Sequence, residues 1–357
     1  MKRFQISLFL SILITTSTLS LLAQSENDTI VKPKKESLLD TLVKQSLPKL
    51  SIEMDLKMLF DDRRLMNYQK ALASFTLDNG EVWTDHIKIK TRGVYRNQKC
   101  DTPPLKLKYP KKALKARGLN KNNEFKLVYP CRPGDNYQNY VLKEYLVYKL
   151  NNVLTENSLR VQLVDLSIKD SLDNLPPIKV KGFLIEHREE LIHRLGAVMS
   201  DAKCMEPVHL SNYDYTVFQV FQYFIGNLDW LLPTCKNCEI ISLEDGEMVP
   251  VAYDFDFSGL VNPEYARPNR AFPVKTLQDR YFLGHKKKME DLEPVFALFK
   301  EKKQALIEII KNFDYLSKFE RRNMVRYVES FYKILNKPKL IKKEFIHPMA
   351  DSMKDDF

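Results

Sequence analysis

Two alternating runs either side of an Asn-Gly pair constrain this fold more than any other feature of the chain. Residues 71–77 and 82–91 flank Asp78-Asn79-Gly80-Glu81, and Asn-Gly tolerates the positive φ that a tight hairpin turn demands. Before it, Ile52, Met54, Leu56 and Met58 alternate with polar residues, the period of a half-buried strand. After it, residues 104–109 and 124–129 have strand character and bracket a lysine-rich helical piece. The first third of the chain is therefore expected to be a mostly antiparallel sheet.

A helix is predicted next, capped by Asp135 or Asn136, with Tyr140, Leu142, Tyr145, Leu146, Tyr148 and Leu150 apolar along it. Residues 159–168 and 178–186 read as strands, 189–195 as a short helix stopped by Gly196, and 213–226 as an aromatic helix. A second hairpin is expected from 239–242 and 248–257 across Glu244-Asp245-Gly246. From 288 to about 335 the pattern is that of two amphipathic helices parted near Asn312. Strands first and helices later is an α+β, two-lobed order. With 357 residues, 44% hydrophobic, the chain can bury a large core.

Residues 1–23 read as a secretory signal peptide: Lys2 and Arg3, then an apolar run from Ile6 to Leu22, then a cleavage edge at Ala23. Residues 24–48 read as a polar linker, 49–186 as a β-rich N-lobe, 187–340 as a mainly helical C-lobe and 341–357 as a tail. Export to the periplasm, cell surface or medium follows, with no membrane anchor once the signal is cut. An oxidising compartment makes disulfides available, and Cys100 and Cys131, each beside a predicted strand, are expected to pair. Cys235-x-x-Cys238 has no second pair or convincing His partner, so zinc is the weaker reading. The net charge of +10 is spread through lysine-rich helices without interleaved aromatics, which argues against a nucleic-acid footprint. An acidic or phosphorylated partner fits the charge.

Glycine is scarce, 10 residues, and no GxGxxG, GxxxxGK[ST], GxSxG or HExxH motif is present. His187 and His193 are six apart, the wrong spacing for one helical face. What remains is an ordered set of Lys, Glu, Asp and Asn. Asp254 and Asp256 stand at i and i+2 in Tyr253-Asp254-Phe255-Asp256-Phe257-Ser258-Gly259, and on a strand both would project to one face. Buried carboxylates need a partner or a metal. Asp229 and Asn237 add oxygen ligands, and an oxygen-only set suits Mg²⁺ or Mn²⁺ beside phosphate. Lys106 and Lys108 share a strand face, Glu144 lies on the following helix, and Glu186 ends a strand. Phosphoryl transfer needs this inventory: a Lys on the phosphates, a carboxylate holding that Lys, metal ligands and an Asp near the nucleophile.

Longer blocks carry a resemblance. Arg92-Gly93, Pro103-Pro104-Leu105-Lys106-Leu107-Lys108, Lys126-Leu127-Val128, Tyr140-Val141-Leu142-Lys143-Glu144-Tyr145-Leu146, Gly182-Phe183-Leu184-Ile185-Glu186, Gly226-Asn227-Leu228-Asp229-Trp230, Lys236-Asn237 and the run from Tyr253 to Asn262 are together similar to the CotH family. These are spore-coat-type secreted protein kinases, and the similarity covers about residues 50–281. The resemblance implies a two-lobed atypical protein-kinase-like fold, with a mainly antiparallel β N-lobe and a mainly helical C-lobe. It implies ATP-dependent phosphorylation of protein Ser/Thr with Mg²⁺ or Mn²⁺. It places Asp229 as catalytic base or metal ligand, Asn237 as the Asn that follows it, and Asp254 and Asp256 as the paired metal carboxylates. Lys106 or Lys108 would grip the phosphates, Arg92 would edge the phosphate loop, and Glu186 would lie near the adenine. The chain departs from the family at Val94-Tyr95-Arg96-Asn97, where a Ser or Asn run is common, and at Lys236, often a His. Those departures set a catalytically inactive binding scaffold of the cell envelope as the alternative, with a metal-dependent hydrolase third.

Overall fold

Alternation closes into a ring. The computed structural model describes residues 35–93, 95–199, 209–284 and 287–346. The expected signal peptide, Cys204 and residues 347–357 of the expected tail lie outside the described residues. Seven strands, β1 (Lys49–Met54), β2 (Gln69–Thr76), β3 (Val82–Thr91), β4 (Leu105–Lys108), β5 (Glu124–Val128), β6 (Val161–Asp170) and β7 (Ile178–Ile185), form a closed barrel in the order β1-β2-β3-β4-β5-β7-β6. Neighbours pair antiparallel except β1 and β6, whose parallel register sets Lys49 opposite Asp165. This overturns the expectation of a two-lobed kinase-like fold with an antiparallel sheet for its N-lobe. The fold is a closed mixed barrel with a helical region. Local alternation marks strands but not which strand closes on which, and a parallel closure has no tight turn to announce it.

Inward side chains such as Leu50, Ile52, Phe75, Ile89, Leu107, Leu127, Leu166 and Leu184 fill the barrel and are fully or nearly fully buried. Each contributes roughly 1.5–3 kcal/mol of apolar burial. The β2–β3 hairpin turns where expected, with Gly80 at φ +85° and its N–H donating to the Leu77 carbonyl at 2.9 Å. The expected run of alternation through Leu56 and Met58 breaks after Met54. There Asp55 caps α2 (Leu56–Asp61), its carboxylate accepting from the Met58 N–H at 2.8 Å. The expected linker is also shorter than read: α1 (Leu38–Leu42) is closed by a Ser37–Asp40 capping box and buries Leu38, Leu39 and Leu42 in the barrel core.

Short helices α3 (Tyr95–Lys99) and α4 (Lys111–Ala116) decorate the β3–β5 connections. The long helix α5 (Asp135–Leu154) starts at Gly134, not at an Asp or Asn cap, and lays Tyr145 and Tyr148 against Phe183 of β7, with ring centroids 5.9 and 5.8 Å apart. Beyond the barrel come α6 (Arg188–Leu195), β8 (Val198–Met199), α7 (Asn212–Ile225), β9 (Cys238–Ser242), β10 (Met248–Ala252), α8 (Met289–Lys311), α9 (Lys318–Leu335) and α10 (Pro338–Ile341). Strands β10-β9-β8 make a small second sheet. A second core joins α5, α7, α8 and α9 to the outward faces of β6 and β7 through Val161, Leu163, Phe183 and Ile185. Residues 161–164 of β6 and 182–185 of β7 are thus buried on both faces, and α5 packs into the second core. Among the described residues, no helix is long and apolar enough to cross a membrane.

Candidate functional site

Three segments meet at α5. The first is the loop after β10. That strand stops at Ala252, short of the expected 257, because Asp254 adopts a left-handed backbone at φ +63°. Its N–H donates to the Tyr148 hydroxyl of α5 at 2.9 Å. Phe255 is fully buried against Tyr148 and Phe221, at 4.6 and 5.6 Å between centroids. Asp254 is exposed and Asp256 is buried, its carboxylate accepting from the Tyr265 hydroxyl at 3.4 Å. The expected strand face is therefore a turn, yet both carboxylates still act on the same neighbour, Glu144.

Glu144 is buried in the middle of α5. Burial, then the charges of Asp256 and Asp254, push its carboxyl well above the ordinary range, with Arg96 and Arg92 pulling the other way. Burial and Asp254 likewise push Asp256 up to about 7, against the pull of Arg96. Burial and neighbouring negative charge thus favour the protonated form of both carboxyls.

The second segment carries the positive charge. Arg92 ends the chain's run along β3, and Arg96 lies on α3. The Cys100–Cys131 disulfide is formed, as expected, and ties the end of α3 to the chain just beyond β5. Arg96 donates to the Tyr129 carbonyl at 3.2 Å, while the Nε of Arg92 is buried with no hydrogen-bond partner. Neither arginine forms an ion pair with a carboxylate within the described residues, although burial and Arg96 both lower the guanidinium pKa of Arg92 and the Asp254 and Glu144 charges oppose them. Lys126 on β5 joins this group. Burial and Arg92 lower its pKa, Glu239 and Asp254 oppose that, and its Nζ lies 4.9 Å over the Tyr253 ring.

The third segment holds Asp229. Helix α7 ends at Gly226, whose φ of +67° and close approach to the Tyr327 hydroxyl leave no room for a Cβ. The buried Asn227 next to it accepts from the Asp229 N–H at 2.9 Å. Asn237, left-handed at φ +53°, donates to the Asp229 carbonyl at 2.6 Å and to its carboxylate at 3.0 Å, and Lys236 lies 2.5 Å from that carboxylate. The Gly259 and Leu260 N–H groups donate to the Gly226 and Ile225 carbonyls at 3.0 and 2.9 Å, so the Asp256 loop and the Asp229 turn are one unit. The Asp229 charge in turn raises Asp256. Cys235 and the buried Cys238 frame the turn that presents Asn237.

Asp229, Asn237, Asp254, Asp256, Glu144 and Arg92 thus converge. Lys106, Lys108 and Glu186 are engaged elsewhere. On the outer face of the barrel Lys90 stands opposite Lys106, Lys106 opposite Lys126, and Lys88 opposite Lys108. Glu124 pairs with both Lys106 and Lys108, the latter at 2.6 Å; burial opposes its ionisation, but the two lysines bring it down to about 2. The carboxylate that holds these two lysines is therefore Glu124. Glu186 is buried and saturated: Arg160 donates to it from Nε at 2.8 Å and Arg194 from Nε at 3.1 Å. It knits β6, β7 and α6 together and has no oxygen to spare for a nucleotide.

Arg96, Lys126, Tyr148 and Tyr265 were not singled out from sequence as site residues. Lys126 had a signal, since it lies two residues from Glu124 on the outward face shared with Lys106. Arg96 had none beyond its closeness to Arg92. The donor set fits a phosphate with a hard cation: an orphaned guanidinium Nε, a second arginine and a lysine face three carboxylates. Among the described residues no three His, Cys, Asp or Glu side chains form a metal cage by themselves. A cation here would complete its shell with phosphate oxygens and water, the habit of Mg²⁺. Comparison with known protein-family models finds no match, and comparison with curated proteins finds none either.

Proposed function

We propose that this protein transfers the γ-phosphoryl group of ATP to Ser or Thr hydroxyls of a protein, with Mg²⁺ or Mn²⁺. The observation that carries the reading is the meeting of Arg92, Arg96 and Lys126 with Glu144, Asp254 and Asp256 without direct ion pairing. Opposite charges gathered around two buried carboxyls ordinarily pair with each other. Holding them apart, with the Arg92 Nε unsatisfied, leaves a place for a group that carries both signs, such as a metal-bound phosphate. The CotH-like blocks of the sequence support the same chemistry, independently of the kinase architecture, which this fold does not have.

ATP when bound supplies the phosphoryl group, and the cation screens its oxygens. The residues do the rest by position and charge. Arg92, Arg96 and Lys126 hold the phosphate oxygens, Lys126 taking the part expected of Lys106. Asp254 and Asp256 would hold a cation, and Glu144 keeps the proton that burial and their charges favour. Asp229, oriented by Asn227 and Asn237, accepts the proton of the attacking hydroxyl.

The mature protein, incubated with labelled ATP and Mn²⁺ or Mg²⁺, is expected to label itself or an added protein, and Asp229→Ala and Asp254→Ala are each expected to abolish labelling. Equal labelling by wild type and Asp229→Ala refutes the assignment. ATP consumed without phosphoprotein indicates a hydrolase, and no nucleotide-dependent rise in melting temperature indicates a binding scaffold.

A further inference from the structure

Helix α5 and the Asp256 loop each continue past the carboxylates into a second site. Tyr140 lies about one turn before Glu144 and Lys143 directly before it, and Leu260 and Asn262 follow Asp256 in the same loop. With Gln278 and α9 they enclose a cavity of about 580 Å³. Its floor is rigid where it meets the site. Asn262 is left-handed at φ +49° and its N–H donates to the Ser258 carbonyl at 2.9 Å, while the Tyr140 hydroxyl accepts from the Glu264 N–H at 3.2 Å. Tyr140 also meets Tyr265 edge-on at 5.8 Å, and Tyr265 is the residue that donates to Asp256.

The lining identifies the ligand class. Asn136, Asn139, Asn262 and Gln278 present side-chain amides to the cavity and make no side-chain hydrogen bond with the described residues. Of the three charged groups in its wall, Lys143 pairs with Glu320 at 2.5 Å with both side chains largely buried, and Arg326 donates to Asn323 on the same helix. The aromatic faces are covered as well. Lys143 lies 6.0 Å over the Tyr140 ring, whose edge contacts are Tyr137 and Tyr265, and Arg280 lies 3.9 Å over Tyr327. A sugar ring, which seeks an open aromatic face, finds none. A side-chain amide carries a donor and an acceptor spaced like those of a peptide unit. Four of them around one cavity match the backbone of an extended chain whatever its side chains are.

We propose that this cavity binds an extended polypeptide segment rich in small polar residues, and that the segment is the phosphate acceptor. Only the last clause rests on the phosphoryl-transfer reading. Bound here, the chain runs along α5 towards Glu144 and delivers its next hydroxyl past Tyr265 to the carboxylates.

The test is fluorescence anisotropy of the mature protein with a labelled Gly/Ser/Thr/Asn peptide, without nucleotide, using Glu-rich and Lys-rich peptides and dextran as competitors. Asn139→Leu on α5 and Gln278→Leu in the loop are measured separately, with melting temperature as the control for folding. Saturable binding of the neutral peptide, weakened about tenfold by each variant at unchanged melting temperature, is expected. Absence of peptide binding to wild type, binding by both variants as tight as that of wild type, or displacement by dextran and not by unlabelled peptide overturns the proposal. A protein that binds the peptide at this cavity but never phosphorylates it overturns the assigned reaction and leaves the site. One that phosphorylates proteins with an unchanged KM in both variants overturns the site alone.

Discussion

Replacing Asp256 by Asn is expected to stabilise the unliganded protein at alkaline pH while destroying its response to nucleotide. Burial, with the charge of Asp254 behind it, lifts this carboxyl from 3.8 to about 7. The folded state therefore binds the proton more tightly than the unfolded chain does. Stability associated with this group is fully present below pH ~3.8 and is lost as pH rises through ~7. About three pKa units at about 1.36 kcal/mol each set a ceiling near 4 kcal/mol for the loss at pH 8. Asn cannot ionise, so it recovers part of that, but it also gives up the attraction of Arg96. A net gain of about 1–2 kcal/mol remains, a rise of roughly 3 °C in melting temperature. The assay is thermal unfolding in EDTA at pH 8 and pH 5. The variant should melt higher at pH 8, and its margin over wild type should shrink at pH 5, where Asp256 of the folded wild type is already protonated. Adding ATP and Mn²⁺ should raise the wild type alone. A variant that melts lower at both pH values would show that the ionised carboxylate is a structural partner of Arg96 and Tyr265, and the reasoning from burial would fail.

Lys126→Met is expected to weaken ATP binding at least about tenfold in a nucleotide titration, while Lys106→Met, which removes only one of two partners of Glu124, should leave it within a factor of two or so. Glu186→Gln should lower stability by about 3 kcal/mol in urea denaturation, because it strips a buried carboxylate from two arginines. Removing the disulfide with Cys100→Ala and Cys131→Ala opens a loop of 31 residues' separation, an expected cost of about 3–4 kcal/mol by chain entropy. It should also weaken nucleotide binding, since α3 carries Arg96.

How far the sequence was legible depended on whether a feature was local. Gly80 declared its own turn, Gly196 and Gly226 ended their helices at left-handed caps, and Asn312 parted α8 from α9. Asp229, Asn237, Asp254 and Asp256 could be named because each stands in a short block of polar residues against apolar neighbours. Barrel closure was not legible, because the β1–β6 pairing links residues far apart in sequence and parallel strands leave no turn signal. The partners of Lys106 and Lys108 were hidden for the same reason. Three lysines on neighbouring strands share one outward face, and only the register shows that Glu124 satisfies Lys106 and Lys108 and leaves Lys126 to the site. Arg96 needed the disulfide to bring it near Glu144. Asp254 broke the expected strand by taking a positive φ that nothing in its side chain requires.

The covalent tie between the end of α3 and the chain beyond β5 also makes redox state and ligand occupancy two readings of one equilibrium. An anion held by Arg96 binds most tightly when α3 is tethered, so by reciprocity the anion must protect the tether from reductant. For a two-electron couple, each tenfold preference of ATP for the oxidised protein lowers the reduction potential by about 30 mV. Titrating the Cys100–Cys131 bond against a thiol buffer, with and without ATP and Mn²⁺, would thus measure the preference of nucleotide for the tethered form without observing a single phosphoryl transfer.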